Sequence, residues 1–116
     1  MLLLHDDKAP AKIALARVEI ERTLSAMQFE WDAAKAAVNL AKHGVDFARA
    51  TLVFADPARL TAVDPRHPVE RRENTIGRVA DALLLTVTHT DRAGVTRLIL
   101  ARPASRHERE LYYAPR

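Results

Sequence analysis

Apolar residues recur at helical spacing in the first half of the chain and at alternate positions in the second, so helices are expected first and strands after them. Ile13, Ala16, Ile20 and Leu24 form a thin apolar stripe within Ala9–Leu24, a stretch of helix-tolerant residues with Pro10 suited to a first turn. A sharper pattern spans Ala33 to His43. Asp32 is its N-cap, with Trp31 just before it, and Gly44 stands where a helix stops. Lys42 and His43 in the last turn favour the helix dipole. Asp46 opens another helix, with Phe47, Ala50, Val53 and Phe54 on one face and Asp56-Pro57 at its end. The pair has helix–turn–helix geometry. Its short turn and apolar second helix argue against DNA binding.

From Leu60 the period changes to two. Strands are expected at Leu60–Asp64, Arg72–Val79, Leu83–Thr90 and Val95–Arg102, with Pro65-Arg66-His67-Pro68 as a loop and Gly77 weakening the second strand. In the third strand Leu83, Leu85 and Val87 point one way and Thr86 and Thr88 the other. With Asp91-Arg92-Ala93-Gly94 as the turn, His89 would pair with Thr96, Val87 with Leu98 and Leu85 with Leu100. Ser105-Arg106-His107-Glu108 reads as a capping box opening a short helix through Leu111 and Tyr112. The expected fold is α+β, with N-terminal helices, about four antiparallel strands and a short C-terminal helix.

At 116 residues the chain fits one small domain. We read residues 27–116 as that domain and residues 1–26 as a helical extension. The extension is either an arm or the product of an upstream start, with Met27 as the alternative start. The absence of cysteine removes disulfides, thiolate metal sites and a cysteine nucleophile. No apolar run reaches membrane-spanning length, and Met1-Leu2-Leu3-Leu4 is too short for a signal-peptide core. A cytoplasmic protein without membrane contact is therefore expected. The net charge of +3 is unevenly spread, because six arginines and two acids lie from Arg92 onward. Such a surface either attracts phosphate or is a solvated face.

Several stretches resemble one family in order. Its opening is matched by Phe29-Glu30-Trp31-Asp32, Lys35, Asn39, Lys42-His43-Gly44-Val45 and Phe47. Phe54-Ala55-Asp56-Pro57, Glu70-Arg71-Arg72 and Ile76-Gly77 match its middle. Arg97, Ala101-Arg102, Ala104-Ser105-Arg106, Glu108-Arg109 and Tyr112 match its end. Over residues 28–113 the chain is similar to the BrnT toxins. It departs from them in its first 26 residues and at Pro103, where a basic residue is frequent. The resemblance implies a RelE-like ribonuclease fold, RNA cleavage, inhibition of translation and neutralisation by a BrnA-type ribbon-helix-helix antitoxin. Operator DNA would then be contacted only through the antitoxin.

Metal-free RNA cleavage requires a base for the 2′-OH, cations for the phosphorane and an acid for the leaving 5′ oxygen. Arg97 and Arg102 are the cation candidates, because a guanidinium binds phosphate bidentately. For Arg97 an ion pair with Glu108 or Glu73 is the competing role. Lys42 and His43 complete the catalytic set. His43 could equally make a dipole contact at its helix end. Arg72, Arg106, His89 and Tyr112 are candidates for binding RNA. His89 could instead be an ordinary turn residue, and Tyr112 could cover the sheet edge. Glu108 is most simply a cap, and Trp31, Phe29, Phe47 and Phe54 are core. No phosphate loop, His-x-x-x-His pair or serine triad is present, so neither a cofactor nor a metal is expected. A non-catalytic RNA- or ribosome-binding module would need the same cations and is the alternative function.

Overall fold

The computed structural model describes residues 26–80 and 82–116. The helix expected at residues 9–24 lies outside them.

Helix α1 spans Ala33–His43. The Asp32 side chain accepts from the Lys35 N–H, and Gly44 closes the helix at φ 71°, in the left-handed region glycine tolerates. Asp46 likewise accepts from the Ala48 N–H and opens α2, Phe47–Ala50. The helix expected to reach Phe54 instead tightens into a 3-10 segment, Thr51–Ala55. Phe47, Ala50, Val53 and Phe54 are all buried, as their shared face requires.

Among the described residues five strands, β1 (Phe29–Glu30), β2 (Leu60–Asp64), β3 (Arg72–Ala80), β4 (Leu83–Arg92) and β5 (Val95–Pro103), form one sheet in the order β1-β5-β4-β3-β2. Four match the expected segments closely: β2 Leu60–Asp64, β3 Arg72–Ala80, β4 Leu83–Arg92 and β5 Val95–Pro103. The expected antiparallel sheet of about four strands is corrected to a mixed sheet of five. The added strand, β1 at Phe29–Glu30, lies parallel to β5. Two residues cannot display a period, so nothing local marked them.

The β4–β5 register also differs from expectation. His89 lies opposite Leu98, and Val87 opposite Ala101. Ala93 (φ 54°) and Gly94 (φ 84°) both adopt left-handed backbone, which makes a two-residue turn and lets the strands run on to Arg92 and Val95. The pairing slips again between Thr88 and His89, where Ile99 is the extra residue of a β-bulge.

The helices before the sheet cover one face. There Leu85, Val87, Leu98 and Ala101 pack with Val45, Phe47, Ala50, Val53 and Phe54. Gly77 permits the closest approach, since a Cβ there would lie 2.8 Å from both Cβ and the carbonyl oxygen of Val53. Asn39 joins α1 to the sheet. Its amide donates to the Val45 and Ala101 carbonyls (3.0 and 2.8 Å) and accepts from the Ala101 N–H (3.1 Å). The last helix, α3 (Arg106–Tyr113), forms the expected capping box and packs on the other face. It covers only one end, where Tyr112 meets Ile76 and Leu84.

Candidate active site

Partners in an antiparallel pair share a face, and alternate residues of a strand do too. The face left partly open by α3 therefore carries Asp64, Arg72, Asn74, Thr86, Thr88, Thr90, Arg97, Leu100 and Arg102. Arg97 lies opposite Thr90, and Arg102 opposite Thr86. The two arginines are five positions apart, so an unbroken strand would send them to opposite faces. The bulge at Ile99 adds the odd residue that brings both to one side.

Each guanidinium on this platform has a carboxylate partner. Arg97 donates to Glu30 of β1 at 2.9 Å, and neither Glu108 nor Glu73 takes that place. Arg102 donates to both oxygens of Glu108 at 2.7 and 3.0 Å. Glu108 also accepts from the Ser105 N–H and the Thr86 hydroxyl. Burial alone would raise its pKa, but Arg102, Ser105 and Thr86 outweigh that and hold it at about 2. The same hydrogen bond raises the pKa of Arg102. Arg72 faces Glu70 with Nε 3.7 Å from the carboxylate, beyond hydrogen-bond reach. Its buried Nε has no hydrogen-bond partner.

Sequence reading left out a fourth guanidinium, Arg66. It grips Asp64 through Nε and NH2 at 2.9 and 2.8 Å, while its backbone N–H donates to the same carboxylate at 3.0 Å. Asp64 is buried and Arg66 is largely exposed, so a sunken anion fixes a surface cation. That fork, joined by a bond from Asn74, holds the Asp64 carboxyl well below its usual range. Asn74 in turn accepts from Thr88 at 2.6 Å. Arg66 lies close enough to Arg102 to oppose its charge. An Asp followed two residues later by Arg at a strand-ending Pro turn was the signal available for this pair.

Lys42 and His43 stand at the margin of the platform. With Ala34, Lys35, Val38 and Asn39 they line an apolar cavity of about 300 Å³ against Ile99 and Leu100. Three other candidates do not join the group. His89 is buried on the helix-covered face, in hydrogen-bond contact with Thr75 at 2.8 Å and with its ring edge-on to Phe54. Burial lowers its pKa, against a smaller opposing effect from Glu73. Tyr112 is buried beneath α3 and donates to Asp56 at 2.6 Å. Burial and that anion raise its pKa. Arg106 is 93% exposed on α3 and faces Glu110 one helical turn on. No group of three or more metal-ligating side chains gathers among the described residues, and no helix among them is long and apolar enough to cross a membrane.

A family model described as "Ribonuclease toxin, BrnT, of type II toxin-antitoxin system" matches residues 31–108. The class is thus that of a type II toxin, a kind of protein that acts with an antitoxin partner. The chain belongs to the BrnT toxin family. It is similar to the 1.1 Å crystal structure of the Brucella abortus ribonuclease toxin BrnT, with 28% identity and a TM-score of 0.54. That match covers 69% of this chain and 99% of the other. No curated protein matches the chain.

Proposed function

We propose that this protein is a metal-independent endoribonuclease that arrests translation by cutting RNA. A base takes the 2′-OH proton, the 2′ oxygen bonds to phosphorus, and the P–O5′ bond breaks. The leaving 5′ oxygen takes up one proton, so the products are a 2′,3′-cyclic phosphate and a 5′-OH. Arg97 and Arg102 stabilise the phosphorane charge, and Arg72 holds a flanking phosphate. Lys42 and His43 supply charge and a proton to the leaving oxygen from the β5 margin.

The observation that carries this reading is the bulge at Ile99, which turns Arg97 and Arg102 to the same face. Their carboxylate partners do not forbid it. The partly exposed Arg97–Glu30 pair contributes only about 0–1 kcal/mol, and a phosphate can replace the carboxylate on the Arg102 fork with the same bidentate geometry. A BrnA-type ribbon-helix-helix antitoxin neutralises the toxin in this reading, and operator DNA is met only through that partner. Residues 1–26 are an extension to the catalytic domain of residues 27–116.

The test is cleavage of a short RNA by the full chain in excess chelator. Cyclic-phosphate ends are expected, and Arg97→Ala with Arg102→Ala should lower their yield by about 10³-fold. Saturable, salt-sensitive RNA retention without products would overturn the nuclease and leave a non-catalytic RNA- or ribosome-binding module.

A further inference from the structure

The loop between β2 and β3 holds a second cluster of chemistry. Arg66, His67, Pro68, Val69, Glu70 and Arg72 line a cavity of about 210 Å³. His67 is half-buried there, with Nε2 3.5 Å from NH1 of Arg72. A guanidinium has only donors, so the imidazole nitrogen beside it must present a lone pair. At 3.5 Å the contact is a long one, and it turns the Nε2 edge of the ring toward the cations.

Two features show that the cluster is incomplete as it stands. The Nε of Arg72 is a buried donor without an acceptor, and Glu70 is too far to serve. Glu70 also bonds to Arg92 at 3.1 Å, which draws it outward. An anion between Arg66 and Arg72 would lie beside His67 and meet the part-exposed Arg72 side chain, and a small turn of that side chain would bring the orphan N–H onto it. The other described histidines lack this setting. His89 is on the far face, His107 is exposed on α3, and His43 borders an apolar cavity.

We propose that His67 is the general base of the reaction, with Arg66 and Arg72 holding the phosphate that flanks the scissile one so that the attacking 2′-OH lies against the imidazole. This rests on the ribonuclease reading above. The His67 Nε2 takes the 2′-OH proton as the O2′–P bond forms, and the 5′ oxygen leaves with a proton from His43 or water. The charged groups that line the cavity with the ring are Arg66, Glu70 and Arg72, of which Arg72 touches it.

The experiment compares wild type, His67→Gln, His67→Ala and the control His107→Gln in cleavage of one RNA across a pH series. Far-ultraviolet dichroism and thermal midpoints establish that each is folded. General-base removal is expected to lower kcat by about 10²-fold or more while KM changes little. The limb of the pH profile that rises with pH should vanish in both His67 variants and persist in His107→Gln. Folded His67 variants that keep wild-type kcat and profile would overturn the base assignment while the ribonuclease reading stands. Absence of cleavage by wild type itself would overturn both.

Discussion

The two faces of the sheet use the same strands for opposite purposes. On the helix-covered face Leu85, Val87, Leu98 and Ala101 are buried beneath Phe47, Val53 and Phe54, and the buried polar groups are Asn39 at the α1–β5 contact and the Thr75–His89 pair. On the other face threonines and Asn74 form a short-side-chain floor under four arginines. β4 is buried on both sides over most of its length, yet for different reasons. One side is covered by helices, the other by α3 and by long side chains rooted on neighbouring strands. Position in the two-residue alternation thus decides whether a polar residue enters the core or the open platform. His89 and Thr88, neighbours on β4, illustrate this: one is locked against Thr75 and Phe54, the other bonds to Asn74 on the open face.

That contrast predicts that open-face substitutions remove activity with the fold intact, whereas covered-face substitutions remove stability. The largest effect is expected for Arg97→Ala with Arg102→Ala. Cleavage should fall by about 10³-fold, as when transition-state charge stabilisation is lost, with a dichroism spectrum like wild type. Unchanged cleavage in that folded variant would break the comparison. Asn39→Ala should come next, at about 2–4 kcal/mol in urea unfolding, because it strands two carbonyls and an N–H at the α1–β5 contact. Gly77→Ala should cost about 1–3 kcal/mol, since its Cβ meets Val53 backbone that cannot simply rotate away.

Acid should weaken the covered face first. The folded state keeps His89 neutral while the unfolded chain takes up a proton near its ordinary pKa of 6.5, so stability falls as pH drops below that value. His89→Gln should flatten this part of a pH–stability curve. Glu108 acts at lower pH. Its folded pKa lies at about 2, below the usual 4.5, so its contribution is full at neutral pH and fades as pH falls between those values. The smallest effect is expected for Arg106→Ala, within about 0.5 kcal/mol, because its exposed pair with Glu110 contributes little. A large loss of RNA cleavage in that variant would extend the active surface onto α3.

Much was legible before any coordinates. Asp32, Gly44, Asp46 and the Ser105–Glu108 box marked helix ends because capping is a matter of hydrogen bonds within a few residues. The four longer strands were visible because alternation is a local property. The site was only half visible. Arg97 and Arg102 could be chosen by residue type, but Glu30, the partner of Arg97, lies 67 residues away. His89 and Tyr112 had suitable chemistry and lacked any local sign that they would be buried.

The sequence by itself determined where helices start and stop, which segments extend and which half of the chain is cationic, since each depends on neighbours along the chain. Only the tertiary structure decided the parallel β1 strand, the Glu30 partner of Arg97 and the bulge at Ile99. Those depend on how strands pair in the sheet, where one extra residue reverses the direction of every side chain beyond it.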